Sequence, residues 1–241
     1  MLLCIGDSLT RGTVGYSYIR YLKKKIKAVN QGVNGDTTRG ALPRLRLCLR
    51  TPILSSAEAC VVLIGTNDIL QPFLSHESPM WWMWMTPRVK LRHCLTDDGA
   101  WAQAYEKYLK LLADRGIRTV LVSLPCIQLK GYPLDQVEAR NAIIRRLAEK
   151  YGADFVDIYA MQTALVPPEH AAAYTWRWRW LQRVVDAAVM LLLPFTKDWF
   201  SKSRGLKLTV DGVHFNSLSA RLLADGILHA LAGERPEKTN E

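Results

Sequence analysis

The sequence has few cysteines, and they are far apart. The five residues are Cys4, Cys48, Cys60, Cys94 and Cys126, with no CxxC pair and no other metal-ligand spacing. An odd, scattered set of this kind predicts reduced thiols in the core and favours a cytoplasmic location. The five histidines are equally scattered, so we expect neither a metal site nor a cofactor.

Long apolar runs are also missing. The longest strongly apolar stretch, residues 187–195, is far shorter than the roughly 20 residues that a membrane-spanning helix needs. The apolar residues 1–5 are too few for a signal peptide, and we interpret them as a first strand. With 49% hydrophobic and 22% charged residues, the 241-residue chain is expected to form one domain over residues 1–233. The polar residues 234–241 are expected to be a disordered tail.

Negative charge is scarce. The chain has 22 acidic residues against 32 Lys and Arg, which leaves a net charge of +10. Such an excess favours acidic partners, among them anionic membrane surfaces and phosphorylated carriers. No signature of a nucleic-acid-binding module accompanies it, so nucleic acid is not an expected partner. Part of the charge has a structural explanation, because Tyr18, Leu22 and Ile26 recur at helical spacing and leave the neighbouring lysines on a solvated face.

Four short blocks contain the residues of chemical interest. They are Gly6-Asp7-Ser8-Leu9-Thr10, Asn34-Gly35-Asp36-Thr37, Gly65-Thr66-Asn67-Asp68 and Asp211-Gly212-Val213-His214. Each block alone has an ordinary explanation as a helix cap or a turn. Together they supply a nucleophile, oxyanion donors and an acid–base pair, which is the set that acyl transfer through a serine requires.

Each block suggests a role. Ser8 is the predicted nucleophile, and His214 is the predicted base because imidazole titrates near the working pH. Asp211 is expected to hold the His214 ring in the required tautomer. The backbone N–H groups of Ser8 and Gly35 and the side-chain amide of Asn67 form the predicted oxyanion hole. Glycine at position 35 would let that N–H approach the substrate closely.

The blocks resemble those of the SGNH (GDSL) hydrolases, a family of serine esterases and lipases. The Ser of the GDSL motif, a Gly, an Asn and a C-terminal DxxH match Ser8, Gly35, Asn67 and Asp211/His214 in the family's order. The resemblance covers most of residues 1–68 and 100–160, and again 206–232. It implies a three-layer α/β/α fold around a flavodoxin-like, five-stranded parallel sheet in the order 2-1-3-4-5.

The alternation of strand and helix signals independently favours a parallel sheet that is covered on both faces. Predicted strands are residues 2–6, 28–33, 59–64, 118–123 and 154–158. A first helix is predicted from the apolar stripe that runs from Trp101 to Leu112. Further helices are predicted at residues 134–151 and after Asn216. Ser8, Gly35 and Asn67 each follow one of the first three strands, so they should converge at the carboxyl edge of the sheet.

The resemblance lapses at about residues 71–99 and 163–205, which we interpret as insertions at that edge. Six of the eight tryptophans lie there: Trp81, Trp82, Trp84, Trp176, Trp178 and Trp180. We expect them to form an aromatic cap that binds substrate, and the alternatives are a larger core or a dimer contact. Residues 176–193 would be a helix able to cap an acyl pocket or to lie in a membrane interface. Its narrow polar face would consist of Arg179, Gln182, Arg183 and Asp186. The Trp-Arg alternation in this segment also fits a short strand.

The sequence therefore predicts a serine esterase that hydrolyses carboxylic esters or thioesters through an acyl-enzyme on Ser8. The expected partner is a small-molecule or lipid ester with an apolar acyl chain, similar to a lysophospholipid, with peripheral contact to anionic membranes as a further option. A carbohydrate O-deacetylase or an acyltransferase would use the same residues. A non-catalytic, membrane-associated binding protein is the alternative from a different class.

Overall fold

Five short segments, four of them mostly apolar, form one sheet of parallel strands. In the computed structural model, which describes residues 1–166 and 174–233, these strands are β1 (Leu2–Gly6), β2 (Ala28–Gly32), β3 (Ala59–Leu63), β4 (Arg118–Val122) and β5 (Asp154–Val156). Their order is β2-β1-β3-β4-β5, which confirms the predicted topology. Strand β5 ends two residues before its predicted end because Asp157 caps the next helix, where its carboxylate accepts a hydrogen bond from the backbone N–H of Ala160. The expected tail at 234–241 lies outside the described residues.

Helices connect the strands and cover the sheet. Their bounds are α1 (Ser8–Arg11), α2 (Ile19–Leu22), α3 (Thr38–Cys48), α4 (Pro52–Ser55), α5 (Thr66–Ser75), α6 (Pro79–Leu91), α7 (Asp98–Ala113), α8 (Leu134–Tyr151), α9 (Ile158–Thr163), α10 (Trp180–Leu192), α11 (Lys197–Ser203) and α12 (Ser217–Ala232). A single 3₁₀ turn, Pro194–Thr196, joins α10 to α11. Among the described residues, no helix is both long enough and apolar enough to cross a membrane.

The pleat of the strands divides the core into two layers, as β1 shows. Leu3 and Ile5 of β1 pack in a cluster with buried residues of α3, α5, α6, α7 and α8. Leu2 and Cys4 point to the opposite face, where they pack with α1, α2, α9 and α12. The sheet is therefore buried on both faces, which confirms the predicted three-layer architecture.

The two insertions are helical and contact each other. Residues 71–99 supply the end of α5, all of α6 and the connection to α7, whereas the described part of 163–205 contains α10, the 3₁₀ turn and α11. Residues 176–179 do not form a strand, and the helix begins at Trp180. The ring of Trp81 stacks on Trp176 with centroids 5.7 Å apart, and Trp84 contacts Trp180 at 5.1 Å.

Candidate active site

The predicted functional residues meet at the carboxyl edge of the sheet. Ser8 begins α1 directly after β1, Gly35 lies in the turn after β2, and Asn67 lies in the first turn of α5 after β3. The loop before α12 brings His214 to the same place. These four residues line one cavity of about 330 Å³, and Asp211 is buried behind His214.

Ser8, His214 and Asp211 form a continuous hydrogen-bonded row. The Ser8 Oγ lies 3.1 Å from His214 Nε2, and His214 Nδ1 lies 2.7 Å from Asp211 Oδ2. The other carboxylate oxygen of Asp211 accepts hydrogen bonds from the backbone N–H groups of Val213 at 2.9 Å and His214 at 2.7 Å. The loop thus folds around its own aspartate, and this fixes the imidazole between the carboxylate and the serine.

Asp211 remains ionised although it is buried. Burial alone would raise the pKa of its carboxyl, but the charges of Arg183 and His214 and the hydrogen bonds from His214 outweigh that effect and hold the pKa well below its usual range. A permanently charged carboxylate at this position can stabilise the imidazolium that forms when His214 accepts a proton.

The three N–H groups predicted to bind an oxyanion differ in whether they already have acceptors. The Asn67 amide nitrogen donates to the carbonyl oxygen of Asp36 at 2.9 Å and to Asp7 Oδ2 at 3.2 Å, so both of its protons have protein acceptors. The backbone N–H groups of Ser8 and Gly35 donate to no acceptor in the part of the chain that the structure describes. Both therefore remain able to donate to a ligand.

The structure gives a second reason for glycine at position 35, besides the expected approach of its N–H to substrate. Packing within the protein does not require it, because a Cβ there would contact only the Gln71 amide nitrogen, at an ordinary 3.8 Å. The backbone φ of Gly35 is 71°, a left-handed conformation that strongly favours glycine.

Asp7 links the nucleophile turn to Asn67. Its Oδ1 accepts from the backbone N–H of Leu9 at 2.9 Å, which caps α1, and its Oδ2 accepts from Asn67. Burial raises the pKa of the Asp7 carboxyl to about 7, against the lowering effects of the Leu9 hydrogen bond and the His214 charge. Asp7 is therefore a titratable group in direct contact with a predicted oxyanion donor.

Comparison with known proteins assigns the chain to a family. The sequence model of the GDSL-like lipase/acylhydrolase family matches residues 4–222. The chain belongs to this family. As a GDSL-like acylhydrolase it is a hydrolytic esterase. No curated protein sequence matches it significantly.

Solved structures agree with this assignment at the level of the fold. A GDSL-like lipase from Bacteroides thetaiotaomicron VPI-5482 superposes with a TM-score of 0.63 at 17% identity, covering 97% of this chain and 88% of that one. A lipase/acylhydrolase from Enterococcus faecalis gives 0.59 at 16% identity, with 99% and 98% covered. An acetylxylan esterase from Geobacillus stearothermophilus gives 0.60 at 18% identity, with 95% and 93% covered.

Within this GDSL-like fold, the second insertion contacts the Ser8–His214–Asp211 row through Arg183. Its Nη2 donates to Asp211 Oδ2, the same oxygen that faces His214, and its guanidinium stacks 4.4 Å from the Trp176 ring centroid. Arg183 Nη1 lies 3.5 Å from Asp186 Oδ2, and that oxygen also pairs with Arg204. All these side chains are largely buried, so α10 is connected to the predicted catalytic carboxylate by a chain of ion pairs.

The sequence pattern predicts Arg183 and Asp186 on a polar helix face but does not assign them to the site. A second residue of the same insertion, Lys197, was also missed. Its ammonium is largely buried and donates to the backbone carbonyls of Gly12, Thr13 and Gly15 at 3.2, 3.2 and 2.6 Å. Lys197 thereby holds the loop after α1, and Val14 of that loop lines the cavity.

Gln71 is a further missed residue, although a signal for it exists. It lies one helical turn after Asn67, so it shares the face of α5 that lines the cavity. Its amide donates to the carbonyl oxygen of Gly35 at 2.9 Å and so braces the predicted oxyanion turn.

The six tryptophans predicted to bind substrate occupy different environments. Trp176 lines the cavity and donates from its indole nitrogen to the carbonyl oxygen of Asp211 at 2.6 Å. Trp81 is buried and donates to the carbonyl oxygen of Trp176 at 2.7 Å. Trp82, Trp84 and Trp178 are exposed, and Trp180 is partly buried. Of the six, only Trp176 is among the cavity-lining residues, so a direct substrate role for the others stays a prediction.

Proposed function

We propose that the chain is a serine esterase that hydrolyses esters or thioesters through an acyl-enzyme on Ser8. The observation that carries this proposal is the row of 3.1 Å and 2.7 Å contacts from Ser8 through His214 to an ionised Asp211, at the wall of a cavity. A serine hydroxyl becomes an effective nucleophile when an adjacent base can take its proton.

In the proposed first half-reaction, Ser8 Oγ attacks the ester carbonyl while His214 Nε2 accepts the hydroxyl proton. The resulting imidazolium is stabilised by Asp211, and the oxyanion is bound by the N–H groups of Ser8, Gly35 and Asn67. His214 then protonates the leaving alcohol or thiol. In the second half-reaction His214 activates a water molecule, which releases the acid and restores Ser8.

The lining of the cavity supports an ester with an apolar acyl chain and an anionic group, as in a lysophospholipid. Apolar contact is available from four side chains: Val14, Leu70, Leu74 and Met85. Arg88 and Arg92 line the same cavity, and no carboxylate is among the described lining residues. Arginine is well suited to a phosphate because its planar fork can donate two parallel hydrogen bonds.

A carbohydrate O-deacetylase is the second candidate. The cavity of about 330 Å³ is near the lower limit of the roughly 300–1,000 Å³ usual for ligand pockets. Asn34 and Gln71 add neutral hydrogen-bonding groups to its lining, as a sugar would need. A cavity of this volume favours a short acyl group, but it does not favour one head group over another.

Hydrolysis of p-nitrophenyl esters from acetyl to dodecanoyl, compared with a lysophospholipid and an acetylated xylo-oligosaccharide, tests both candidates. Ser8→Ala is the matched control, and we expect it to lower turnover by about 10⁴–10⁶-fold. A Ser8-dependent optimum at medium or long chains, together with lysophospholipid cleavage, supports the proposal. Preference for acetyl groups and the oligosaccharide selects the deacetylase.

Labelling by a fluorophosphonate separates either enzyme from a non-catalytic binding protein, because the reagent requires an activated serine. Wild-type protein should be labelled at Ser8, whereas His214→Ala should not. Unlabelled wild-type protein whose residual ester hydrolysis is unchanged in Ser8→Ala would contradict the serine mechanism.

A further inference from the structure

Helix α10 is oriented with its charged residues inward and most of its large apolar residues outward. Arg183 and Asp186 face the protein, where they form the ion pairs to Asp211 and Arg204. The exposed apolar side chains recur at helical spacing along the opposite face. This surface, which we call the α10 outer face, consists of Leu181, Val184, Val185, Leu191 and Leu192, with Phe195 directly after the helix.

The exposure of this face is large. Leu181 is 68% exposed and Leu192 76%, and Phe195 extends the apolar strip beyond the end of the helix at 76%. Trp178, immediately before the helix, is 77% exposed. A continuous apolar strip of this kind on a folded chain usually marks an interaction surface.

The two segments that carry the exposed tryptophans and the α10 outer face are almost entirely positive in charge. Residues 79–96 and 174–207 together contain ten Lys and Arg but only two acidic residues, Asp186 and Asp198. Asp186 is buried in the ion-pair network, and Asp198 accepts a hydrogen bond from the backbone N–H of Ser217 at 3.0 Å.

Seven of these cations are exposed: Arg88, Lys90, Arg92, Arg177, Arg179, Lys202 and Lys207. None of the seven forms an ion pair with another described residue. The segments that present the exposed apolar side chains therefore carry seven exposed cations that no described acidic residue neutralises.

We propose that the α10 outer face docks on an anionic lipid surface. Apolar side chains of α10 would enter the boundary between headgroups and acyl chains, while the surrounding lysines and arginines contact lipid phosphates. Tryptophans such as Trp178 and Trp84 favour that boundary because their rings are amphipathic. Lipid is a better fit than a second copy of the chain, since a two-fold contact would bring two sets of unpaired cations together.

Docking would act on the same helix that contacts the predicted catalytic row. Arg183 on the inner face of α10 binds Asp211, so a lipid surface that orders α10 would also stabilise the position of this arginine. The docking itself does not depend on the proposed catalytic function and can be measured without turnover.

Vesicle co-sedimentation of the Ser8→Ala protein tests the proposal while preventing hydrolysis of the lipid. Phosphatidylcholine vesicles with and without phosphatidylglycerol are compared at low and high salt. We expect binding to the anionic vesicles, at least about tenfold weaker binding to the neutral ones, and weakening by salt. Absence of binding to anionic vesicles would overturn the proposal.

A matched pair of double variants identifies the surface. Leu181→Glu/Leu192→Glu should weaken vesicle binding at least about tenfold, because it places charge at the depth of the acyl chains. Leu47→Glu/Ile53→Glu introduces the same charge at residues that are 66% and 72% exposed elsewhere, and should bind within about twofold of the parent. Circular dichroism and thermal unfolding check that both stay folded.

If both double variants lose vesicle binding equally, net charge alone explains the binding, and the assignment to α10 is overturned. Sedimentation equilibrium in the absence of lipid tests whether a second copy of the chain, and not lipid, covers the α10 outer face. A dimer that dissociates in Leu181→Glu/Leu192→Glu but persists in Leu47→Glu/Ile53→Glu would assign the face to a second copy of the chain instead.

Discussion

Replacing Arg183 by methionine isolates the contribution of α10 to the Ser8–His214–Asp211 row. Methionine keeps an apolar side chain of similar length against the Trp176 ring but removes the charge that faces Asp211. Arg183 is only 7% exposed, and removing one partner of a buried ion pair typically costs about 3–5 kcal/mol of stability. We expect a loss in this range, measured by urea denaturation near pH 7.

The pH dependence of that loss follows from Asp211. Its pKa is held well below the usual carboxyl range in the folded protein, so its stabilising contribution is complete above the unfolded pKa of about 4 and disappears as the pH falls further. Without Arg183 the pKa of Asp211 rises toward its usual value. The stability difference between wild type and Arg183→Met should therefore be largest near neutral pH and shrink below about pH 4.

The same substitution should lower kcat with little change in KM, because Arg183 does not line the cavity. A hydrogen bond to a charged group contributes about 1.5–3 kcal/mol. If all of it is expressed in the transition state, kcat falls by about 10–150-fold. Arg183→Lys, which restores the charge, should recover part of kcat, and Arg179→Met, directly before the same helix, is the control. A kcat within about threefold of wild type and a stability loss below about 1 kcal/mol would together refute this reasoning.

Three further predictions concern residues in or beside the cavity. Asn67→Ala should lower kcat by about 10²–10³-fold in steady-state assays, as expected for loss of an oxyanion donor, and turnover within about threefold of wild type would exclude that role. Asp7, whose pKa is raised to about 7, favours the folded state while protonated, so this contribution is lost as the pH rises through about 7. Asp7→Asn should therefore reduce the fall in the free energy of unfolding between pH 4 and pH 8, by up to about 4 kcal/mol, as measured by urea denaturation. An unchanged pH dependence would contradict the raised pKa of Asp7. Arg88→Gln/Arg92→Gln should raise KM for a lysophospholipid about tenfold but leave KM for p-nitrophenyl acetate within about twofold, and equal changes would argue against an anionic substrate group.

Much of the fold follows from local sequence patterns. The apolar runs that form β1 to β5 are bounded by glycine or polar residues, and all five strands lie within two residues of their predicted bounds. The stripe of Trp101, Tyr105, Tyr108 and Leu112 is buried on one face of α7 as predicted. The predicted strand ends are less accurate, because a side-chain cap such as that of Asp157 determines where the next helix begins.

Placement of Ser8, Gly35 and Asn67 at one edge also follows from the sequence, because parallel strands end at the same side of a sheet. Helix lengths did not follow equally well. The spacing of Tyr18, Leu22 and Ile26 favours a helix through that whole segment, but α2 contains only Ile19–Leu22. The lysines after Leu22 are exposed in the following turns, so they face solvent as predicted.

By itself, then, the sequence determined the strand order expected of the family, the residues available for acyl transfer and the division of α10 into a polar and an apolar face. Tertiary structure decided which face of α10 turns inward. Helical periodicity shows which residues share a face, but the direction of that face depends on its partners, and here Asp211 and Arg204 draw Arg183 and Asp186 into the protein. Contacts such as Lys197 with Gly15 also needed the folded chain, because residues so far apart in sequence leave no local pattern that pairs them.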